Sequence, residues 1–376
     1  MTAKSCWERM YMETNDGTKR ISQTKVELWV GFWMSAILFG ATVGFQSGFL
    51  AIATVVPLSI LIRVTTEDLI VRFQHDEREL AAGLTSAILG NAIEMCFALV
   101  AVARDEALVA QTALTRAVLA DCLLSLGTCF LCGGFQHGVQ TYPIVMARDK
   151  TQLLVLSLAS IVLPTVFKLT GPRGGFSQLR HRAVLVFLFY LGYEYHTHAV
   201  RPRPALTVGL AMAGGVVSAA DAFGALDLPA LRAHSLANSR KAPKMPLPMN
   251  LAVLAYALAV TVVTSIGVIQ SIDVPYHALG VSKSFVGLVI IPAVYGCAEQ
   301  AVTAIRSQAA SIDWIIEVAI DSSIRITLFV LPTTVIVGWA TGVEAMSLFF
   351  DGFQVTMLGL GVALVNYIMH TGSSHW

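Results

Sequence analysis

Residues 82–103 read AGLTSAILGNAIEMCFALVAVA. The stretch is apolar and long enough to cross a bilayer as a helix, since about 20 such residues span the roughly 30 Å hydrocarbon layer. It also carries Glu94 near its middle, three residues after Asn91 and four after Gly90. A helix satisfies its own backbone polar groups, which lipid cannot do. A carboxylate at that depth costs several kcal/mol by typical scales, about 3 or more, so it is retained for a bound partner or a function. An apolar block interrupted by Gly-Asn and then a carboxylate therefore predicts a membrane helix built around a polar site.

Blocks of this kind recur along the chain. Hydrophobic residues make up 55% of the 376 positions and charged ones only 13%, and net charge is +1; a soluble domain carries about a quarter charged residues. Ten spans are predicted, near 28–45, 48–70, 82–103, 110–134, 151–170, 182–198, 250–270, 284–305, 314–340 and 352–370. The fold class is thus an all-α polytopic membrane protein embedded in the lipid bilayer. Near-neutral charge offers nothing to nucleic acid. Residues 1–27 are polar and lack the apolar stretch of a signal peptide, so they read as a cytosolic tail, with targeting left to the first membrane helix at 28–47. Residues 199–249, rich in Pro, Arg and Lys, form the longest polar interval and read as a cytosolic linker. Most Lys and Arg then fall on the cytosolic side, as the positive-inside rule requires.

The linker separates two repeats, 48–198 and 250–376. Gly90-Asn91-Ala92-Ile93-Glu94 in the first matches Tyr295-Gly296-Cys297-Ala298-Glu299 in the second, and a second small-residue segment follows each, Thr115 to Asp121 and Asp321 to Arg325. The five spans of the first repeat, against four in the second, start the halves on opposite sides of the membrane. Such inverted repeats place a transport site near the midplane, between the halves.

Glu94 and Glu299 are the candidate cation and metal ligands. Hard cations such as Ca²⁺ take several oxygen ligands, and two carboxylates with freed backbone carbonyls supply them. The competing reading is two structural glutamates held by hydrogen bonds. Glu67 and Asp68, near the end of the second span, read equally as guides at a pore mouth or as interfacial residues. Cys129-x-x-Cys132 has a redox or metal spacing but lies inside an apolar block without a second pair, which favours packing. His196 and His198 fall on alternate positions that share no helix face, which favours an interfacial cap over a metal pair. No Ser or Cys nucleophile stands beside a base in a recognisable setting, so the chain reads as a transporter rather than an enzyme, with no cofactor.

Glu67 with Gly90 to Glu94, continued by Gln111 to Gly134, resembles the first-half signature of calcium/proton exchangers, within the calcium/cation antiporter superfamily. Ser271-Ile272-Asp273, Gly280 to Lys283, Gly287 to Pro292 and Ala298-Glu299 resemble the second-half signature, and Asn366-Tyr367 with Gly372 to Trp376 resembles the segment before that family's last helix. The resemblance implies eleven membrane helices and exchange of cytosolic Ca²⁺ for H⁺, with the vacuolar membrane as the usual fungal and plant setting. It makes Glu94 and Glu299 the central cation and proton carboxylates, Asn91 part of their site and Glu67 an accessory. It implies no particular oligomeric state.

Departures from the family pattern cluster at the site. Small or amide positions of the family fall on Arg116 and Asp121 in the first half and on Asp321 and Arg325 in the second. A guanidinium stays charged and opposes a neighbouring Ca²⁺. Each repeat gains one Asp with its Arg, however, so the site's formal charge is unchanged. These four intramembrane charges are expected to modulate the site and to pair crosswise, Arg116 with Asp321 and Arg325 with Asp121. The chain ends at Trp376, where the resemblance implies one more helix. The rival to active antiport is a transport-inactive relative serving as a structural or regulatory partner.

Overall fold

The computed structural model describes residues 28, 30–41, 48–75, 78–128, 130–131, 139–141, 144–170, 176–195, 245–270, 312–343, 346–370 and 373–375. The span predicted at 284–305, Glu299, Cys129 and Cys132, His196 and His198, and most of the linker lie outside the described residues.

In chain order the elements are α1 (Val30–Ala41), α2 (Gly48–His75), α3 (Glu79–Leu89), α4 (Ala92–Ala103), α5 (Ala107–Thr128), β1 (Val139–Thr141), α6 (Ile144–Thr170), α7 (Phe176–Tyr195), α8 (Leu247–Gln270), α9 and α10 (Gly352–Met369), then β2 (Ser373–His375). Helix α9 is built from Ile312–Arg325, a π-helical turn at Ile326–Val330, and Leu331–Ala340. Four helical stretches among the described residues are long and apolar enough to cross a membrane: α5, α8, Ala319–Ala340 of α9, and α10. Helices α3 and α4 pass the same test as a bent pair. One departure from the wholly helical expectation is a short antiparallel ladder, in which Val139 faces His375 and Thr141 faces Ser373.

The chain divides into two compact units, Met1–Asp68 with Lys244–Val302, and Leu69–Pro243 with Thr303–Trp376. Each unit therefore draws on sequence from both sides of the linker. In the first unit, α1 meets α2 and α8. The missing side chain of Gly31 lets Leu61 approach, while Phe32 packs on Tyr256 with ring centroids 5.0 Å apart. Asn250 of α8 is wholly buried and donates from Nδ2 to the Thr65 carbonyl (3.2 Å) and to Asp68 Oδ2 (2.9 Å) of α2.

In the second unit α10 packs along α6, α4 along α5, and α9 against α4, α5, α6 and α7. Gly338 of α9 shows why the last of these contacts is close: a Cβ there would lie 2.9 Å from Met346 Cβ and 3.4 Å from Val102 of α4. The turn between α4 and α5 carries Asp105 at φ 65°, a left-handed conformation that Asp tolerates better than most residues.

Polarity is distributed as a bilayer requires. Leu185 and Leu188 of α7 and Phe353, Leu360 and Leu364 of α10 point outward, while Thr65, Thr151, Thr261, Thr327 and Thr334 are buried. Each of these threonines donates to the carbonyl four residues back, for example Thr151 Oγ1 to Ala147 O at 2.9 Å. Hydroxyls satisfied within their own helix can face a dry interior without stranding a donor.

Candidate cation site

The span at 82–103 is not one straight helix. It breaks at Gly90–Asn91, and α3 and α4 diverge by 56°. The cause is local. Asn91 leaves the helical region (φ −125°, ψ 35°) and the chain restarts at Ala92. A Cβ on Gly90 would collide with the Ser86 carbonyl oxygen, which already accepts the Gly90 N–H at 2.9 Å. Only glycine fits that tightened turn.

The break sets Asn91 and Glu94 at the start of α4. Asn91 is 2% exposed. Its Oδ1 accepts a 2.7 Å hydrogen bond from Ser322 Oγ of α9, and its Nδ2 is buried with no hydrogen-bond partner among the described residues. Glu94 lies half-buried in the first turn of α4, where the positive end of the helix dipole favours a carboxylate.

Arg325 of α9 reaches the same break. Its Nη1 donates to Ser86 Oγ at 2.7 Å, and its Cζ lies 3.9 Å from where a Gly90 Cβ would stand. Asp321, one turn earlier, is held elsewhere: Lys150 Nζ of α6 donates to Oδ1 at 2.7 Å and to Oδ2 at 2.8 Å. The crossed pairing expected from symmetry is therefore corrected. Asp321 takes Lys150 rather than Arg116, and Arg325 takes Ser86 rather than Asp121. The reason is which helix lies alongside: α6 runs against α9 and presents Lys150 at the level of Asp321.

Arg116 and Asp121 are half-buried on α5, and Asp121 lies in a π-helical turn at Ala120–Ser125. In α9 a second π-turn, Ile326–Val330, begins immediately after Arg325. Helices α5 and α9 meet between these turns, where Cys122 Sγ donates to Ser323 Oγ at 3.2 Å. Single π-turns inside α-helices recur at functional sites, because they re-aim the side chains around them.

Glu67 is exposed on α2, in the first unit, whereas its neighbour Asp68 is buried and bonded to Asn250. Glu299 lies outside the described residues. Three contacts escaped the sequence reading: Asn250 with Asp68, Lys150 with Asp321, and Tyr190 with Glu194. In the last, Tyr190 Oη donates to Glu194 Oε1 at 2.5 Å, both side chains are buried on α7, and Tyr190 packs on Phe329 of α9. The signal for Glu194 was present, since a carboxylate stands inside a predicted span. Lys150 gave none, because a cation just before an apolar run reads as interfacial.

The family model described as sodium/calcium exchanger protein matches residues 43–197, which include the break and both of its helices. The vacuolar calcium ion transporter of Schizosaccharomyces pombe is 28% identical over 333 residues, covering 86% of this chain and 72% of that protein. The chain is similar to calcium ion transporters over most of its length. The Ca(2+)/H(+) antiporter of Synechocystis sp. is 27% identical over 341 residues, covering 87% of this chain and 85% of that relative. The fold of the chain is also that of solved structures. Native YfkE matches with a TM-score of 0.68 at 21% identity, covering 94% of this chain and 93% of that one, and the H+/Ca2+ exchanger CAX matches with 0.65 at 12%, covering 95% and 85%.

Proposed function

We propose that this chain exchanges Ca²⁺ for H⁺ across a vacuolar membrane, loading an acidic store from the cytosol. The relatives named above carry the substrates and the setting: one is a vacuolar calcium ion transporter, another a Ca(2+)/H(+) antiporter. The single structural observation that supports the reading is the α3–α4 break, which holds a buried amide and a carboxylate at a helix start between close-packed helices.

Glu94 is the central carboxylate in this reading, Glu299 its counterpart in the second repeat, Asn91 a neutral ligand and Glu67 an accessory at the approach. The repeats are 48–198 and 250–376. Glu94 offers the same oxygen lone pairs to Ca²⁺ and to a proton, so the two exclude each other, which is the condition for antiport. Asn91 fits the role because its amide has spare capacity. Ser322 Oγ can donate to the amide oxygen or accept from its nitrogen. Rotation of the amide keeps that bond and turns Oδ1 toward the position Nδ2 now occupies.

A second reading, a transport-inactive partner protein, is favoured by the Lys150–Asp321 bridge, since a bridge between α6 and α9 resists rearrangement of α9. Uptake of radiolabelled calcium into vesicles carrying the purified chain separates the two. Uptake that requires an inside-acid gradient and collapses with a protonophore supports antiport. No uptake above protein-free vesicles leaves the partner reading.

A further inference from the structure

We infer that Arg325 is a tethered cation that competes with the transported ion at the α3–α4 break and so sets this chain's affinity for it. The inference rests on the antiport reading of the break. Four observations carry it. The guanidinium sits over Gly90, its Cζ 3.9 Å from the point a Cβ there would occupy. It is fixed by Nη1 donating to Ser86 Oγ, one turn before Gly90 on α3. Its Nε is buried without a hydrogen-bond partner among the described residues, so that edge of the guanidinium has unused donor capacity beside a polar break. Asp321, which could have neutralised Arg325 from one turn away on the same helix, has both carboxylate oxygens on Lys150 instead.

The geometry links the tether to the ligands. Ser322, which donates to Asn91 Oδ1, lies on the same helix three residues before Arg325. One stretch of α9 thus orients the proposed amide ligand and delivers the charge beside it. The π-turn at Ile326–Val330 begins immediately after Arg325, and a π-turn shifts the aim of flanking side chains relative to a regular helix. A fixed positive charge at the break lowers the occupancy of any second cation there, and an ion of higher charge suffers more than one of lower charge. Arg325 therefore acts as a specificity residue that weakens divalent binding without removing a ligand.

The test compares the full-length wild type with Arg325→Gln, Arg325→Lys and Ser86→Ala, reconstituted at matched orientation. Two readouts are taken: calcium uptake driven by an inside-acid gradient, and the rise in detergent melting temperature with added CaCl2. Arg325→Gln keeps a donor for Ser86 but loses the charge, and it is expected to lower the half-saturating calcium concentration tenfold or more and to enlarge the melting shift. Arg325→Lys keeps the charge and is expected to stay within about threefold of wild type, with Ser86→Ala intermediate. A folded Arg325→Gln protein whose calcium dependence equals that of wild type overturns the inference, whatever the absolute uptake. Equal gains in Arg325→Gln and Arg325→Lys overturn it too, because bulk rather than charge is then responsible. If Arg325→Gln is too unstable to purify, Ser86→Ala against wild type decides by the same melting shift. Absence of uptake in wild type that appears in Arg325→Gln upholds the inference and refutes active antiport by the wild-type chain. Uptake in wild type unaltered in every variant refutes the inference alone.

Discussion

The α3–α4 break and the α6–α9 contact lie in one compact unit and treat buried polarity in opposite ways. At the break Asn91 is bonded to the neutral Ser322 hydroxyl and Arg325 to the neutral Ser86 hydroxyl, and the amide keeps a buried nitrogen without a hydrogen-bond partner among the described residues. At the α6–α9 contact a full cation meets a full anion through two short bonds, with each side chain about a quarter exposed (23% and 25%). A site that must bind and release an ion needs spare bonding capacity. A tie between helices works best with none.

The comparison breaks most visibly at Glu94. Glu94→Gln is expected to reduce gradient-driven calcium uptake by at least tenfold while leaving the melting temperature within a few degrees, because one exchangeable charge is lost and little packing changes. The next largest effect falls on the tie. Lys150→Met strands the Asp321 carboxylate and is expected to destabilise by about 1–3 kcal/mol, below the range for fully buried pairs because solvent reaches both groups. Adding Asp321→Leu is expected to recover at least half of that loss in a detergent melt; simple addition of the two losses would show that the bridge is not a coupled pair.

Gly90→Ala tests the backbone of the break directly. The added methyl meets the Ser86 carbonyl oxygen, so the break must shift, at a cost of about 1–3 kcal/mol for overpacking a close contact and with reduced uptake. Normal stability and normal uptake in that variant would mean that the close turn is not required. The smallest effect is expected at Tyr190→Phe, which removes one buried hydrogen bond to Glu194 and is expected to cost about 1–2 kcal/mol in thermal stability. That change leaves uptake intact if the α7 pair is structural; a tenfold loss would instead draw Glu194 into ion handling.

The sequence disclosed the elements better than their joints. Apolar length placed the spans near 48–70, 250–270 and 352–370 close to α2, α8 and α10, because a membrane helix writes its length in hydropathy. Gly90 and Asn91 marked the break but not its 56° angle, which depends on how tightly Ser86 and Gly90 close the turn. The four introduced charges were legible one by one, and their partners were not. Symmetry between the repeats pointed Asp321 at Arg116, yet symmetry says nothing about α6, and Lys150 on α6 lies alongside and takes both carboxylate oxygens. Asn250 was equally hidden, since a lone Asn opening an apolar helix looks like an interfacial residue until Asp68 is found beside it.

Proteoliposomes with calcium and proton fluxes recorded together, for wild type and Glu94→Gln side by side, give the most direct measurement. The expected result is calcium entry matched by proton exit in wild type, both lost together in Glu94→Gln while the protein stays folded. Coupled fluxes that survive Glu94→Gln unchanged would contradict the assignment of Ca²⁺ and H⁺ to one shared carboxylate at the α3–α4 break.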